Sequence, residues 1–154
     1  MLRNVLLNAL KKQRKYYSGK KKRHTIKAQV IVNQATGIIL CTAESFGKTH
    51  DFALYKNSIG SRVLDSIKAQ ADSGYQGITA IHHNSETPKK KPRGGTLTNE
   101  EKKENRRISR ERILIENINA KIKVFKIMKY PYRNRRKRHL LRLNLICGII
   151  NFEA

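Results

Sequence analysis

The chain has 154 residues, 38% of them hydrophobic, and its 34 Lys plus Arg outnumber its 11 Asp plus Glu to give a formal net charge of +23. That length suits one domain with a real core, and a field of that size makes polyanions the natural partners, DNA or RNA first. No apolar run approaches the roughly 20 residues of a spanning helix, so no membrane partner is expected.

The start, MLRNVLLNALKKQRK, puts apolar residues before its bases, the reverse of a signal peptide, and predicts a cytoplasmic protein. Leu2, Val5, Leu6 and Ala9 have helical spacing, which predicts a short amphipathic turn or two over residues 1–10. Residues 11–23 carry eight bases around Tyr16, Tyr17 and Gly19. A loop that grips a phosphate backbone while a tyrosine stacks on a base and a solvated linker both stay open there.

TIKAQVIVN (25–33) alternates, with Ile26, Ala28, Val30 and Val32 on one face; NQATG reads as a turn and IILCTAES (38–45) as the second strand of a hairpin. GKTHDFALYKNS reads as a loop opening a short helix with Asp51 near its start. In DSIKAQADSGYQG, Ile67, Ala69 and Ala71 alternate up to Asp72, a strand delivering a carboxylate at its C-terminal edge, where sites in α/β sheets commonly form. Asp72 also fits a plain turn residue in its Asp-Ser-Gly.

NSETPKKKPRGGTL (84–97) has the composition of a loop. TNEE (98–101) is a capping box, and Ile108, Ile115, Ile118, Ile122 and Phe125 space an apolar stripe along one long helix to about residue 127. Tyr130-Pro131-Tyr132 breaks it, residues 133–138 hold five bases in six positions, and HLLRLNLICGIINF closes the chain as a mostly apolar helix. Cys41 and Cys147 form no CxxC motif and are expected as reduced, buried thiols. His24, His50, His82, His83 and His139 lack zinc-finger spacing, so no structural zinc is expected.

Glu116 is an acid kept in a strongly basic stretch, RILIENINAKIK. On one continuous helix it would lie about 40° round from Arg112, with Lys123 about 20° round, so all three would share a stripe. An i, i+4 ion pair on a solvated face accounts for this at a few tenths of a kcal/mol. The functional alternative is that Asp72 and Glu116 meet on a metal, because Mg²⁺ is held by one or two carboxylates plus substrate phosphate oxygens.

In their order along the chain, YYSGKKKRHTIKAQVIV, GKTHDFALYKNS, ADSGYQGI and NRRKRHLLRLNLICGIINFE, with the Arg112-x3-Glu116-x6-Lys123 pattern, resemble the DDE transposases of bacterial insertion sequences, in the branch related to Harbinger elements. The resemblance covers residues 13–154. It implies an α/β fold, a ribonuclease-H-like mixed sheet with flanking helices. It also implies two Mg²⁺ ions (or Mn²⁺) held by Asp, Asp and Glu, with cleavage of a strand at the element end and joining of the freed 3′ hydroxyl to a target. Its second acid maps to Asp72 and its Glu to Glu116, with 43 residues between them. Asp51, in a recurrent His-Asp pair, is the rival second acid but precedes the strand that should deliver one. Double-stranded DNA, as element ends and target, is the implied partner in a nucleoid-associated bacterial protein, and a homodimer is allowed. The residues expected on DNA are Tyr16, Tyr17, Lys20, Lys21, Lys22, Arg23, Arg112, Lys123, Arg135 and Arg136.

One departure stands out. The family's first Asp lies upstream of the YYSGKKK block on its own strand, whereas residues 1–43 hold no acid and Glu44 is the first. The expectation is therefore a non-homologous or frameshifted start over 1–12, a partial catalytic domain over 13–154 lacking the first catalytic strand, and no activity alone. A basic nucleic-acid-binding protein without metal chemistry is the competing reading. It leaves Asp72 and Glu116 unexplained.

Overall fold

Ile26, Ala28 and Val30 alternate along one stretch, and in the computed structural model that stretch is the longest strand. The structure describes residues 2–6, 14–132 and 138–154. These divide into two units, Met1–His50 with Leu114–Ala154, and Asp51–Ile113. Both carry helices and strands, so the chain is a mixed α/β protein.

The first unit is built on an antiparallel sheet. Strand β1 (Leu2–Leu6) pairs with β3 (Arg23–Val32), β3 with β4 (Ile39–Phe46), and the short β2 (Tyr17–Ser18) with the start of β3. The β3–β4 hairpin forms where the alternation places it. Asn33 closes its turn, since its side-chain oxygen accepts from the backbone N–H of Ala35 at 2.9 Å and of Thr36 at 3.3 Å. Gly37 ends that turn at φ +75°, a conformation that favours glycine.

Residues 2–6 are a strand and not the helical turn their spacing predicts. Leu2, Val5 and Leu6 satisfy a helical period too briefly to decide it, and the edge of β3 offers hydrogen bonds that an isolated short helix could not replace. The segment carries no carboxylate.

Helices α3 (Ile113–Val124), α4 (Lys126–Lys129) and α5 (His139–Phe152) complete this unit. Ala28, Val30 and Ile39 of the sheet pack with Ile118, Ile122, Met128, Leu143, Ile146 and Ile150 in one core. Fully burying a side chain such as Ile122 or Leu143 contributes about 1.5–3 kcal/mol. Asn151 docks α5 on the sheet, donating to the Ile39 carbonyl at 2.9 Å and accepting from the Ile39 N–H at 2.8 Å. Buried His139 bonds through Nδ1 to Glu44 Oε2 at 2.7 Å, so the first acid of the chain is engaged in the fold. Neither cysteine is in a disulfide. Cys147 is buried, while Cys41 is only half-buried, and burial still pushes its thiol up.

In the second unit α1 (Asp51–Ser58) buries Leu54 and Tyr55, and the Tyr55 ring meets Tyr75 edge to face at 6.1 Å. The strand before Asp72 is shorter than its alternation predicts. Strand β5 is only Ala69–Gln70, because Ile67 is drawn into a turn by its N–H bond to the Leu64 carbonyl and stays exposed. Its partner is β6 (Ser85–Glu86), parallel, inside the segment whose composition reads as loop. Helix α2 (Asn99–Glu111) starts at the capping box: Thr98 Oγ1 accepts from the Glu101 N–H at 3.2 Å, and Glu101 Oε2 accepts from the Thr98 N–H at 2.9 Å.

The single long helix expected over 98–127 is three helices. Arg112 ends α2 with ψ −9°, off the helical value, and Phe125 ends α3 in extended geometry with ψ 110°. Neither break carries Pro or Gly. The apolar stripe is divided between the units: Ile108 is buried and belongs to the second, while Ile118 and Ile122 lie in the core of the first. No helix among the described residues is long and apolar enough to cross a membrane.

Candidate functional site

Asp72 sits where β5 ends and a single 3-10 turn (Ser73–Tyr75) begins. Its extended backbone lets its carboxylate cap that turn, accepting from the Ser73 N–H at 2.6 Å. The side chain remains 43% exposed, so the cap leaves it accessible, and Arg112 Nη1 stands 3.5 Å from Oδ1. Arg112 therefore pairs with Asp72 within the second unit. Because the helix breaks at Arg112, the three-residue stripe inferred from the sequence reduces to Glu116 and Lys123, both exposed, seven residues apart on α3.

Asp51, the rival acid, opens α1, and a Cβ placed on Gly74 would come within 3.0 Å of its Oδ2. The second unit thus gathers Asp51, Asp72 and Arg112 around one turn. Tyr75, 3% exposed, lies beneath them. Burial first, then the Asp51 and Asp72 carboxylates, push its phenol well above the usual range. Glu116 belongs to the other unit.

A charge network ties β5 and β6 to α2, and only the +3 and +4 spacing of Glu104, Arg107 and Glu111 is visible in the residues. Arg107 bonds Glu86 at 2.8 Å, Glu104 at 2.5 Å and Glu111 at 2.6 Å; Lys68 holds the other Glu86 oxygen at 2.7 Å; Gln70 donates to Glu111. Lys68 and then Arg107 bring the Glu86 carboxyl down from 4.5 to about 2. A depressed carboxylate stabilises the fold above its unfolded value, and that contribution is lost as pH falls through the folded one. Stability of the second unit should therefore decline between about pH 4.5 and pH 2. Denaturant titrations over that range should show a shallower decline for Glu86→Gln. Equal slopes in both proteins would remove Glu86 from the acid response.

Lys20, Lys21 and Lys22 stand exposed in the turn between β2 and β3, and Arg23, also exposed, opens β3. Of the two tyrosines, Tyr16 packs edge-on against Phe46 at 4.9 Å and against the Ile26 and Tyr132 cluster, while Tyr17 keeps 41% exposure. Arg135 and Arg136 lie outside the described residues. The structure adds a basic stripe that the motifs do not single out: Lys103, Arg106 and Arg110 are exposed on α2 at +3 and +4 spacing, a period already visible in the residues.

Among the described residues, no group of three or more His, Cys, Asp or Glu side chains is placed to hold a metal ion. Two of the three expected acids, Asp72 and Glu116, do not by themselves make a two-ion site.

Comparison with known proteins identifies relatives. A family described as DDE superfamily endonuclease matches residues 6–151. A protein of Microchaete diplosiphon named as a probable transposase for insertion sequence element IS702 is 48% identical over 143 residues, covering 93% of this chain and 51% of that relative. The chain thus spans about half the length of the relative it matches. No solved structure matches it.

Proposed function

Since the chain belongs to the DDE superfamily endonucleases, we propose that it supplies part of the catalytic and DNA-holding surface of an insertion-sequence transposase. Divalent metal ions serve this family in general. The finer reading is a ribonuclease-H-like catalytic core acting on duplex DNA at element ends and target, with Asp72 as second acid, Glu116 as third, and two Mg²⁺ (or Mn²⁺) ions in the complete site. The observation that carries it is the match over residues 6–151, which spans Asp72 at its strand end and Glu116 with Lys123 on α3.

By this reading Asp72 and Glu116 would hold the cations, Lys123 lies over the same helix face as Glu116, and Arg112 orients the Asp72 carboxylate by pairing with it. The chain spans about half the length of its relative, so the whole strand-transfer reaction is not assigned to it alone. Its net charge of +23 supports a second reading for the isolated chain, DNA binding without chemistry.

The test is cleavage of a labelled element-end duplex in Mg²⁺ or Mn²⁺. The chain alone should leave the DNA intact. Adding an upstream strand that carries an Asp should produce nicks, and Glu116→Gln in that extended protein should abolish them. Metal-dependent nicking by the 154-residue chain itself would show that Glu44, Asp51 or another acid completes the site, and the inactivity reading would fall.

A further inference from the structure

We propose that the outer face of α5 is a self-docking surface, through which two copies of this chain pair antiparallel about a two-fold axis. Leu143, Ile146, Cys147 and Ile150 bury the inner face of α5 in the first unit's core. The outer face is apolar as well: Leu141, Leu145, Ile149 and Phe152 are 57%, 61%, 47% and 93% exposed. Their +4, +4 and +3 spacing sets them on one stripe less than about 100° wide. A helix apolar on two opposite faces has one more face to cover than a single core supplies.

Three observations commit the surface to a second copy. The first is charge. In a chain with 34 Lys plus Arg, α5 has one, Arg142, and Glu153 at its C-terminal end lines the same groove, so each copy brings one charge of each sign and no net charge to the surface. The second is area. The four side chains expose on the order of 500 Å² per copy, at the upper end for a monomer's patch. Buried completely on both copies, that is about 1,000 Å², the lower bound for a specific interface.

The third is shape. Gly148 lies within the stripe, and nothing stands within 4 Å of where its Cβ would be, so it leaves a hollow beside Leu145. In an antiparallel pair Leu145 fills the Gly148 hollow of the second copy, and Leu141 meets its Phe152. Both contacts recur on the other side of the axis, the self-complementarity that a two-fold interface requires.

Electrostatics fix the sign of the salt effect. Two chains of +23 repel, and added salt screens that repulsion over a Debye length of about 10 Å at 0.1 M. Self-association through α5 should therefore strengthen with salt, opposite to any association bridged by nucleic acid.

Sedimentation equilibrium of nuclease-treated protein at about 0.1 and 0.5 M salt reads this directly. The expected result is a reversible dimer, tighter at higher salt. Leu145→Glu should weaken it about 100-fold, and Gly148→Leu, which fills the hollow, should weaken it as well. Thermal melting checks that each variant folds, with Leu145→Ser as the milder second choice. A monomer at every concentration and salt, or a dimer indifferent to both substitutions at position 145, would overturn the proposal. So would a monomer whose α5 face is protected only when the unmatched half of the IS702 relative is added.

Discussion

Affinity for duplex DNA should fall about 10³-fold or more when salt is raised from about 50 to 200 mM, as expected for a protein making six or more phosphate contacts. Lys20 to Arg23 and the α2 stripe of Lys103, Arg106 and Arg110 already present seven exposed bases. Arg107 is excluded from that set because three carboxylates hold it. Fluorescence anisotropy with a labelled duplex should give a straight line of log affinity against log salt. Changing Lys20, Lys21 and Lys22 to Gln should flatten it by roughly 0.9 for each phosphate no longer neutralised. A slope near zero would mean that the charge of +23 is not what holds DNA.

Gly47→Ala should destabilise the first unit by about 3 kcal/mol, lowering its melting temperature by about 10 °C. A Cβ there would lie 2.2 Å from Thr25 Oγ1, 2.5 Å from the Tyr16 carbonyl oxygen and 2.7 Å from that of Thr25. Thr25 is fully buried, and Gly47 N–H donates to its carbonyl at 2.9 Å, so neither chain can withdraw without breaking the end of the sheet. Gly19→Ala is the control, with nothing within 4 Å of its Cβ. Circular dichroism melts of the two variants should separate clearly. Coincident curves would show that the Thr25–Gly47 crossing relaxes at little cost.

Features set by neighbouring residues were legible in the sequence. The hairpin turn closed by Asn33, the Thr98 capping box and the apolar helix at the end of the chain each depend on residues a few positions apart. Features set by distant partners were not. Strand β6 exists because Ala69 and Gln70 pair with residues sixteen positions away, and Ser85 and Glu86 carry no strand signal of their own. The break at Arg112 falls where the chain passes from one unit to the other, so a helical wheel drawn through it assigns Arg112 to Glu116 when its observed partner is Asp72. At the candidate site, the chemistry of Asp72 and the period of Glu116 with Lys123 could be read from the residues. The proximity of Asp51 to the Gly74 turn required the fold.

The division into one contiguous and one discontinuous unit imposes an order on biosynthesis. Residues 51–113 can close on themselves as soon as they leave the ribosome, whereas the sheet of the first unit must wait for the far end of the chain. Until Ile118, Ile122, Leu143 and Ile146 emerge, Ala28, Val30 and Ile39 have no helices to cover them. At about 5–20 residues per second, roughly 100 residues of further translation leave that hairpin uncovered for about 5–20 s. In that interval the nascent hairpin is the part of the molecule most open to chaperones and to pairing with the wrong strand.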